Sequence, residues 1–120
     1  MTKIRINNAK FYSYHGVLDY EKEFGNEFEV DIEMECDLTG LSLSDDLHKT
    51  VNYLDVYNSV RSVFNDNKYH LIETVNYLIC NMILEKYPLV NSVEVRIRKP
   101  NAPLGIIDSV EIIYKSVRSD

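Results

Sequence analysis

The sequence has 120 residues, 45% of them hydrophobic, and we expect one compact domain over residues 1–120. A formal net charge of −6 argues against nucleic acid and an anionic membrane surface as partners, because both bind through basic residues. Cys36 and Cys80 lack metal-binding or redox spacing, and the sequence has no apolar leader and no apolar run of membrane-spanning length. We therefore expect a soluble, cytoplasmic protein.

The first third of the chain predicts two strands. Ile4, Ile6 and Phe11 indicate a first strand that is interrupted near Asn7-Asn8, and we expect a loop between Gly16 and Gly25. Unbroken alternation then predicts a second strand, because successive side chains point to opposite faces of a sheet. Its apolar face comprises Phe28, Val30, Ile32, Met34, Cys36 and Leu38, and its polar face comprises Glu29, Asp31, Glu33, Glu35 and Asp37.

Two helices and two further strands are predicted beyond a polar connection over residues 39–50. Asn52 is a suitable cap for the first helix, and Tyr87-Pro88 ends a second helix that begins near Ile72. Strands follow from Val93 and over 110–117. The order β-β-α-α-β-β predicts an α+β fold, with a four-stranded antiparallel sheet and two helices on one face. The apolar positions of the helices are Leu54, Val56, Tyr57, Val60, Val63 and Phe64 in the first, and Val75, Leu78, Ile79, Met82 and Ile83 in the second.

The predicted sheet has one charged face and two unpaired edges. The acidic face of the second strand is matched by Lys3, Arg5, Arg96 and Arg98 on the other strands. Unpaired edges expose backbone hydrogen-bonding groups, and pairing them between subunits into a closed barrel would remove that exposure. The alternative is a monomer whose edge strands are short and twisted.

Lys99 breaks the alternation of the third strand. Val93, Val95 and Ile97 lie in one apolar phase, and Lys99 occupies the next position in that phase before Pro100 ends the strand. Partial desolvation at a strand end favours a neutral amine and suits a lysine to proton transfer or covalent chemistry. The alternative is that Lys99 buries its stem and keeps its ammonium group in water.

Four other residues are candidates for a site. Glu73 begins the second helix, where the helix dipole favours an anion, and it could accept hydrogen bonds from a planar amidine-like edge; the alternative is a glutamate that only improves capping. Tyr53 is a weak acid or a boundary aromatic, Glu21 a site carboxylate or a solvated one, and His15 a catalytic or a structural histidine. His15, His48 and His70 show no metal-ligand spacing, so we predict no metal site.

Five separated segments resemble the dihydroneopterin aldolases of folate biosynthesis, and together they span nearly the whole chain. The resemblance implies the T-fold, in which four-stranded units form rings around a barrel. It also implies a homo-oligomer, a tetramer or an octamer of two stacked rings, with sites between neighbouring subunits. The segments are Phe11-Tyr12-Ser13-Tyr14-His15-Gly16-Val17, Glu21 ahead of Gly25, Thr50-Val51-Asn52-Tyr53, Leu71-Ile72-Glu73 and Val95-Arg96-Ile97-Arg98-Lys99-Pro100.

The resemblance also implies a reaction that needs no metal and no cofactor. The ring of 7,8-dihydroneopterin holds a C6=N5 imine that accepts electrons when the side-chain carbon–carbon bond breaks, which gives 6-hydroxymethyl-7,8-dihydropterin and glycolaldehyde. Lys99 would be the general acid near N5, and Glu21 would position Lys99 or the substrate hydroxyls. The pterin edge would be held by Glu73 and the backbone at Ile72. Tyr53 and Val51 of the next subunit would flank the ring, with Tyr53 moving a proton.

Other functions remain open at this point. A related enzyme that epimerises dihydroneopterin triphosphate would begin with the same bond cleavage and then close the bond again. A pterin-binding oligomer without activity and a Schiff-base aldolase acting on sugars are further alternatives. The sequence departs from the family after Ala102-Pro103, where Leu104-Gly105-Ile106-Ile107 replaces a longer, proline-containing loop.

Overall fold

The structure, a computed structural model, describes residues 1–41 and 43–119. Four strands form one antiparallel sheet in the order β1-β2-β3-β4, so each strand pairs with its neighbour in the sequence. The α+β fold and the element order predicted from the sequence are confirmed. The elements are β1 (Thr2–Ser13), α1 (Asp19–Phe24), β2 (Asn26–Cys36), a 3₁₀ turn (Leu47–Lys49), α2 (Tyr53–Asp66), α3 (Ile72–Lys86), β3 (Val90–Lys99) and β4 (Val110–Val117).

The boundaries differ from the predictions at three places. The interruption expected at Asn7-Asn8 is a bulge within the continuous strand β1, where the register with β2 shifts between Ile6 and Ala9. The segment expected to be a loop through Gly25 contains the short helix α1. Strand β2 ends at Cys36, before Leu38, because the chain turns away there and the Asp37 carboxylate accepts hydrogen bonds from Thr39.

Both long helices cover one face of the sheet. Helix α2 packs on β1, and α3 packs on β3 and β4. Burying the apolar faces of these elements in one layer gives most of the stabilisation, at about 25 cal/mol for each Å² removed from water. The fully buried side chains at the centre of this layer include Phe28, Ile32, Met34, Val56, Val60, Phe64, Val75, Ile79, Ile83 and Ile97.

Asn76 fixes α3 against the sheet. Its buried side-chain amide donates hydrogen bonds to the backbone carbonyls of Val95 in β3, at 3.0 Å, and Ile112 in β4, at 3.3 Å. Only three residues separate α3 from β3, so the two elements run in opposite directions. The first turn of α3 therefore lies at the end of the sheet where β3 finishes.

The other face of the sheet carries ion pairs, as its charge pattern predicted. Arg98 binds Asp31 through two hydrogen bonds of 2.7 and 3.0 Å, and it also contacts Glu29 and Glu111 on the flanking strands. The hydrogen bonds from Arg98 hold the pKa of Asp31 below its usual value. Charges of opposite sign therefore meet across neighbouring strands on this face.

Candidate active site

Lys99 and Glu21 form an ion pair at the end of β3. The Lys99 ammonium contacts the Glu21 carboxylate, and the two side chains are only 13% and 4% exposed. Lys99 continues the buried phase of Val95 and Ile97, so its stem enters from the helix-covered side of the sheet. A buried charge is costly unless it is paired, and here each charge satisfies the other.

Helix α1 carries Glu21 into this buried position. The second Glu21 carboxylate oxygen accepts a hydrogen bond from the backbone N–H of Leu18 at 3.3 Å, and the carbonyl of Glu21 accepts one from Gly25 at 3.1 Å. Glu21 is therefore held at both its side chain and its backbone. Six residues of helix give too little periodicity to predict from the sequence, which is why the alternative of a solvated Glu21 stayed open.

Gly16 leaves the space that the Glu21 carboxylate fills. A Cβ atom at position 16 would lie 2.6 Å from a carboxylate oxygen of Glu21 and 2.8 Å from its Cβ. Gly16 also has φ +152°, a backbone conformation that L-residues with a side chain rarely adopt. Both observations explain why glycine follows His15 at this site.

His15 is fully buried and makes two hydrogen bonds. Its Nε2 donates to the carbonyl of Phe64, near the end of α2, and its Nδ1 accepts from the backbone N–H of Tyr69, each at 3.0 Å. Gly16 N–H donates to the carbonyl of Tyr69, also at 3.0 Å. Burial lowers the pKa of His15, and the bond to Phe64 opposes this shift in part. The neutral imidazole therefore joins the end of β1 to the α2–α3 connection.

Ile72 and Glu73 begin α3 directly after this connection. Ile72 is buried, whereas the Glu73 side chain is exposed at the first turn. Since Tyr69 is bonded to both His15 and Gly16, and Glu21 packs against Gly16, the first turn of α3 shares one end of the molecule with Lys99. The structure thus places Glu73, Ile72, Glu21 and Lys99 on one side.

Tyr53 and Val51 lie at the other end of α2. Tyr53 begins the helix and is 65% exposed, while Phe64, near its last turn, accepts the hydrogen bond from His15. Eleven residues of α-helix separate Tyr53 from Phe64 by about 16 Å. Within one protomer, Tyr53 and Val51 are therefore not brought together with Lys99.

An apolar cleft adjoins the start of α2. It is lined in part by Val51, Asn52, Tyr87 and Leu89, and the Tyr87 hydroxyl donates a 2.6 Å hydrogen bond to Asp55 in the first turn. Burial, with the neighbouring Asp55 carboxylate, raises the pKa of Tyr87 to about 12. Tyr87 is therefore a protonated donor that ties α2 to the end of α3.

Two further searches cover residues 1–41 and 43–119. No three His, Cys, Asp or Glu side chains come together there in a group that could hold a metal ion. None of the helices in that part of the chain has the length and apolar character required to cross a membrane.

The fold and the buried ion pair define a class of protein: a β-β-α-α-β-β subunit with a lysine–carboxylate site at the end of its sheet. Comparison with known proteins agrees with this class. An E. coli dihydroneopterin aldolase solved in complex with neopterin superimposes with a TM-score of 0.89, covering 97% of this chain and 99% of that one at 24% identity. This likeness establishes the shared fold.

Sequence comparison identifies the family. The family model described as dihydroneopterin aldolase matches residues 4–115. The dihydroneopterin aldolase of Staphylococcus epidermidis is 41% identical over 110 residues, which is 91% of each chain. That of Streptococcus pyogenes serotype M6 is 38% identical over 105 residues, which is 88% of each chain. The chain belongs to the dihydroneopterin aldolase family, as the motifs in its sequence predicted.

Two features of the site could not be found by pattern alone. The sequence placed His15 beside a glycine, but its partners Phe64 and Tyr69 lie more than 45 positions away in the chain. The pairing of Glu21 with Lys99 spans 78 positions. The one local signal was the lysine in an apolar phase, which pointed to a buried partner of opposite charge without identifying it.

Proposed function

We propose that this chain is a metal-independent dihydroneopterin aldolase. It would cleave the C1′–C2′ bond of 7,8-dihydroneopterin and release 6-hydroxymethyl-7,8-dihydropterin and glycolaldehyde. The observation that carries the proposal is the buried Lys99–Glu21 pair, in a chain of this family, beside the start of α3. The neopterin bound to the E. coli relative supports a pterin-type ligand.

Lys99 is the general acid of the proposed reaction. The 2′-hydroxyl loses its proton as the C1′–C2′ bond breaks, and the bonding electrons move through C6 to N5 of the ring. An ammonium held against a carboxylate can deliver a proton to N5, directly or through water. Glu21 keeps Lys99 in place and is close enough to that amine to position the substrate hydroxyls as well.

The start of α3 would hold the flat edge of the pterin. Glu73 can accept two charge-assisted hydrogen bonds from the exocyclic amine and N3–H, while the backbone at Ile72 supplies a further polar contact. Glu73 is exposed in the protomer, so its carboxylate is free to meet a ligand. Position in the first turn also favours its negative charge, because the helix dipole is positive there.

A second subunit would complete the site. Tyr53 and Val51 lie about 16 Å away along α2, so in our proposal they approach the ring from a neighbouring copy, where Tyr53 returns a proton to C1′ of the enol-like intermediate. Strands β1 and β4 form the edges of the sheet and are available for pairing. We propose a ring of such units, as a tetramer or an octamer.

The direct test uses purified protein, 7,8-dihydroneopterin and an excess of chelator. We expect glycolaldehyde and the hydroxymethyl pterin to form, Lys99→Ala to lose nearly all turnover, and Glu73→Gln to raise KM. Glu85→Gln, at the far end of the same helix, is the matched control and should behave as wild type. Cleavage that requires added zinc would contradict the acid–base scheme.

The same assay distinguishes the alternative functions. An epimer with an intact side chain and no glycolaldehyde would indicate an epimerase. Binding of pterin without turnover in the wild type, unchanged by Lys99→Ala, would indicate a binding module. Borohydride trapping of substrate on Lys99 would indicate Schiff-base chemistry.

A further inference from the structure

His15 joins the two parts of the site that one protomer supplies. Its imidazole accepts a hydrogen bond from Tyr69 N–H, three residues before Ile72, and its neighbour Gly16 donates one to the carbonyl of the same Tyr69. This reciprocal pair attaches the start of α3 to the His15–Gly16 segment at two points. Glu21, which pairs with Lys99, packs directly against Gly16.

The surroundings of His15 fix its orientation and tautomer. The ring lies among Phe28, Phe64 and Tyr69, with ring centroids 5.8, 5.7 and 5.5 Å away. A carbonyl at Nε2 requires a donor, and a backbone N–H at Nδ1 requires an acceptor, so the imidazole carries its single proton on Nε2. Burial lowers the pKa of His15 and supports this neutral form. No rotation of the ring could satisfy both partners in another way.

We propose that His15 is a positioning residue that sets the distance between the pterin-holding start of α3 and the Lys99–Glu21 pair. This inference rests on the proposed function. The imidazole touches neither reacting atoms nor ligand, since it is fully buried. It acts through Tyr69 on Ile72 and Glu73, and the Gly16 segment transmits the same geometry to Glu21. A displacement of about 1 Å between the two parts would leave pterin binding largely intact and would slow proton transfer, which depends steeply on geometry.

The chain offers variants that separate the two bonds of His15. In His15→Gln the longer amide can still donate to Phe64, but the N–H of Tyr69 loses its acceptor. In His15→Asn the side-chain oxygen can occupy the place of Nδ1 and keep the bond to Tyr69, while the bond to Phe64 is lost. Ser13→Ala is the matched control, because the Ser13 hydroxyl donates to the same Phe64 carbonyl at 2.9 Å and makes no contact with Tyr69.

The experiment measures kcat and KM for 7,8-dihydroneopterin and the Kd for neopterin, at a temperature well below the melting point of every variant. We expect His15→Gln to lower kcat by roughly 10- to 100-fold with a Kd within about threefold of wild type. His15→Asn and Ser13→Ala should keep kcat within about threefold, although both should lower the melting temperature. Amide hydrogen exchange at Tyr69 should be faster in His15→Gln alone.

Each result decides between the possibilities. A wild-type kcat in His15→Gln, or an equal loss of kcat in His15→Gln and Ser13→Ala, would overturn the positioning role. Should His15→Gln not fold, a loss of kcat in His15→Asn equal to or greater than 10-fold with unaltered exchange at Tyr69 would overturn it too, and retained kcat would support it. A wild-type protein without turnover overturns the proposed function and, with it, this inference.

Discussion

Replacing Gly16 by alanine tests how closely the Glu21–Lys99 pair is held. The added Cβ would lie 2.6 Å from a Glu21 carboxylate oxygen, against an ordinary contact distance of 3.4 Å or more, so the carboxylate must move by roughly 0.8 Å. The side chain cannot yield by rotation alone, because its own Cβ is only 2.8 Å from the new atom. Alanine is also strained at the φ of +152° found here.

A displacement of this size is large for a catalytic group. Misplacement by about 1 Å costs on the order of 100-fold in rate, which corresponds to about 2.7 kcal/mol in the activation barrier. We therefore expect Gly16→Ala to lower kcat by roughly 100-fold in a steady-state assay of glycolaldehyde release. Gly40→Ala is the matched control, since its Cβ would meet no atom within 4 Å. Wild-type kcat in a folded Gly16→Ala protein would refute the reasoning.

Three predictions concern stability. Asn52→Ala removes the side-chain cap of α2 and should lower the free energy of unfolding by about 1 kcal/mol in urea titrations. Asn76→Ala removes two buried hydrogen bonds to the sheet and should cost about 2 kcal/mol or more; no change in either titration would contradict the assigned bonds. The folded state holds His15 at a lowered pKa, and the one titratable side chain packed on its ring is Tyr69. The unfolded chain therefore binds a proton first as pH falls, so stability should drop below about pH 6.5, by at most about 1.4 kcal/mol per pH unit, and His15→Asn should flatten this dependence.

Local patterns were sufficient to predict the sheet and the two long helices. The alternation of β2 is unbroken because one face packs on the helices and the other carries charges, so burial and sequence period agree at every residue. Helix α2 begins at its predicted cap, where the Asn52 side chain accepts hydrogen bonds from Leu54 and Asp55. Helix α1 was missed because its six residues bury Glu21 rather than an apolar stripe.

The site itself was predictable only in part. Lys99 could be found because a charge in an apolar phase is a local anomaly, visible within seven residues of sequence. Its partner could not, since the pairing depends on a glycine that makes room for Glu21 and on a tertiary contact across the whole chain. The resemblance to the family named both residues, and the structure supplies the contact between them; their roles in catalysis stay predictions.

The length of α2 constrains how the site can be assembled. Its last turn is bonded to His15 near Lys99, and its first turn carries Tyr53, so a rigid helix holds these residues about 16 Å apart. Bending α2 to close that distance would break its hydrogen bonds and expose Val56, Val60 and Phe64, which are buried. A second copy of the chain meets the need without this cost, because its own Tyr53 can approach across the unpaired edge strands. Any chemistry that uses both Lys99 and Tyr53 therefore requires association between subunits.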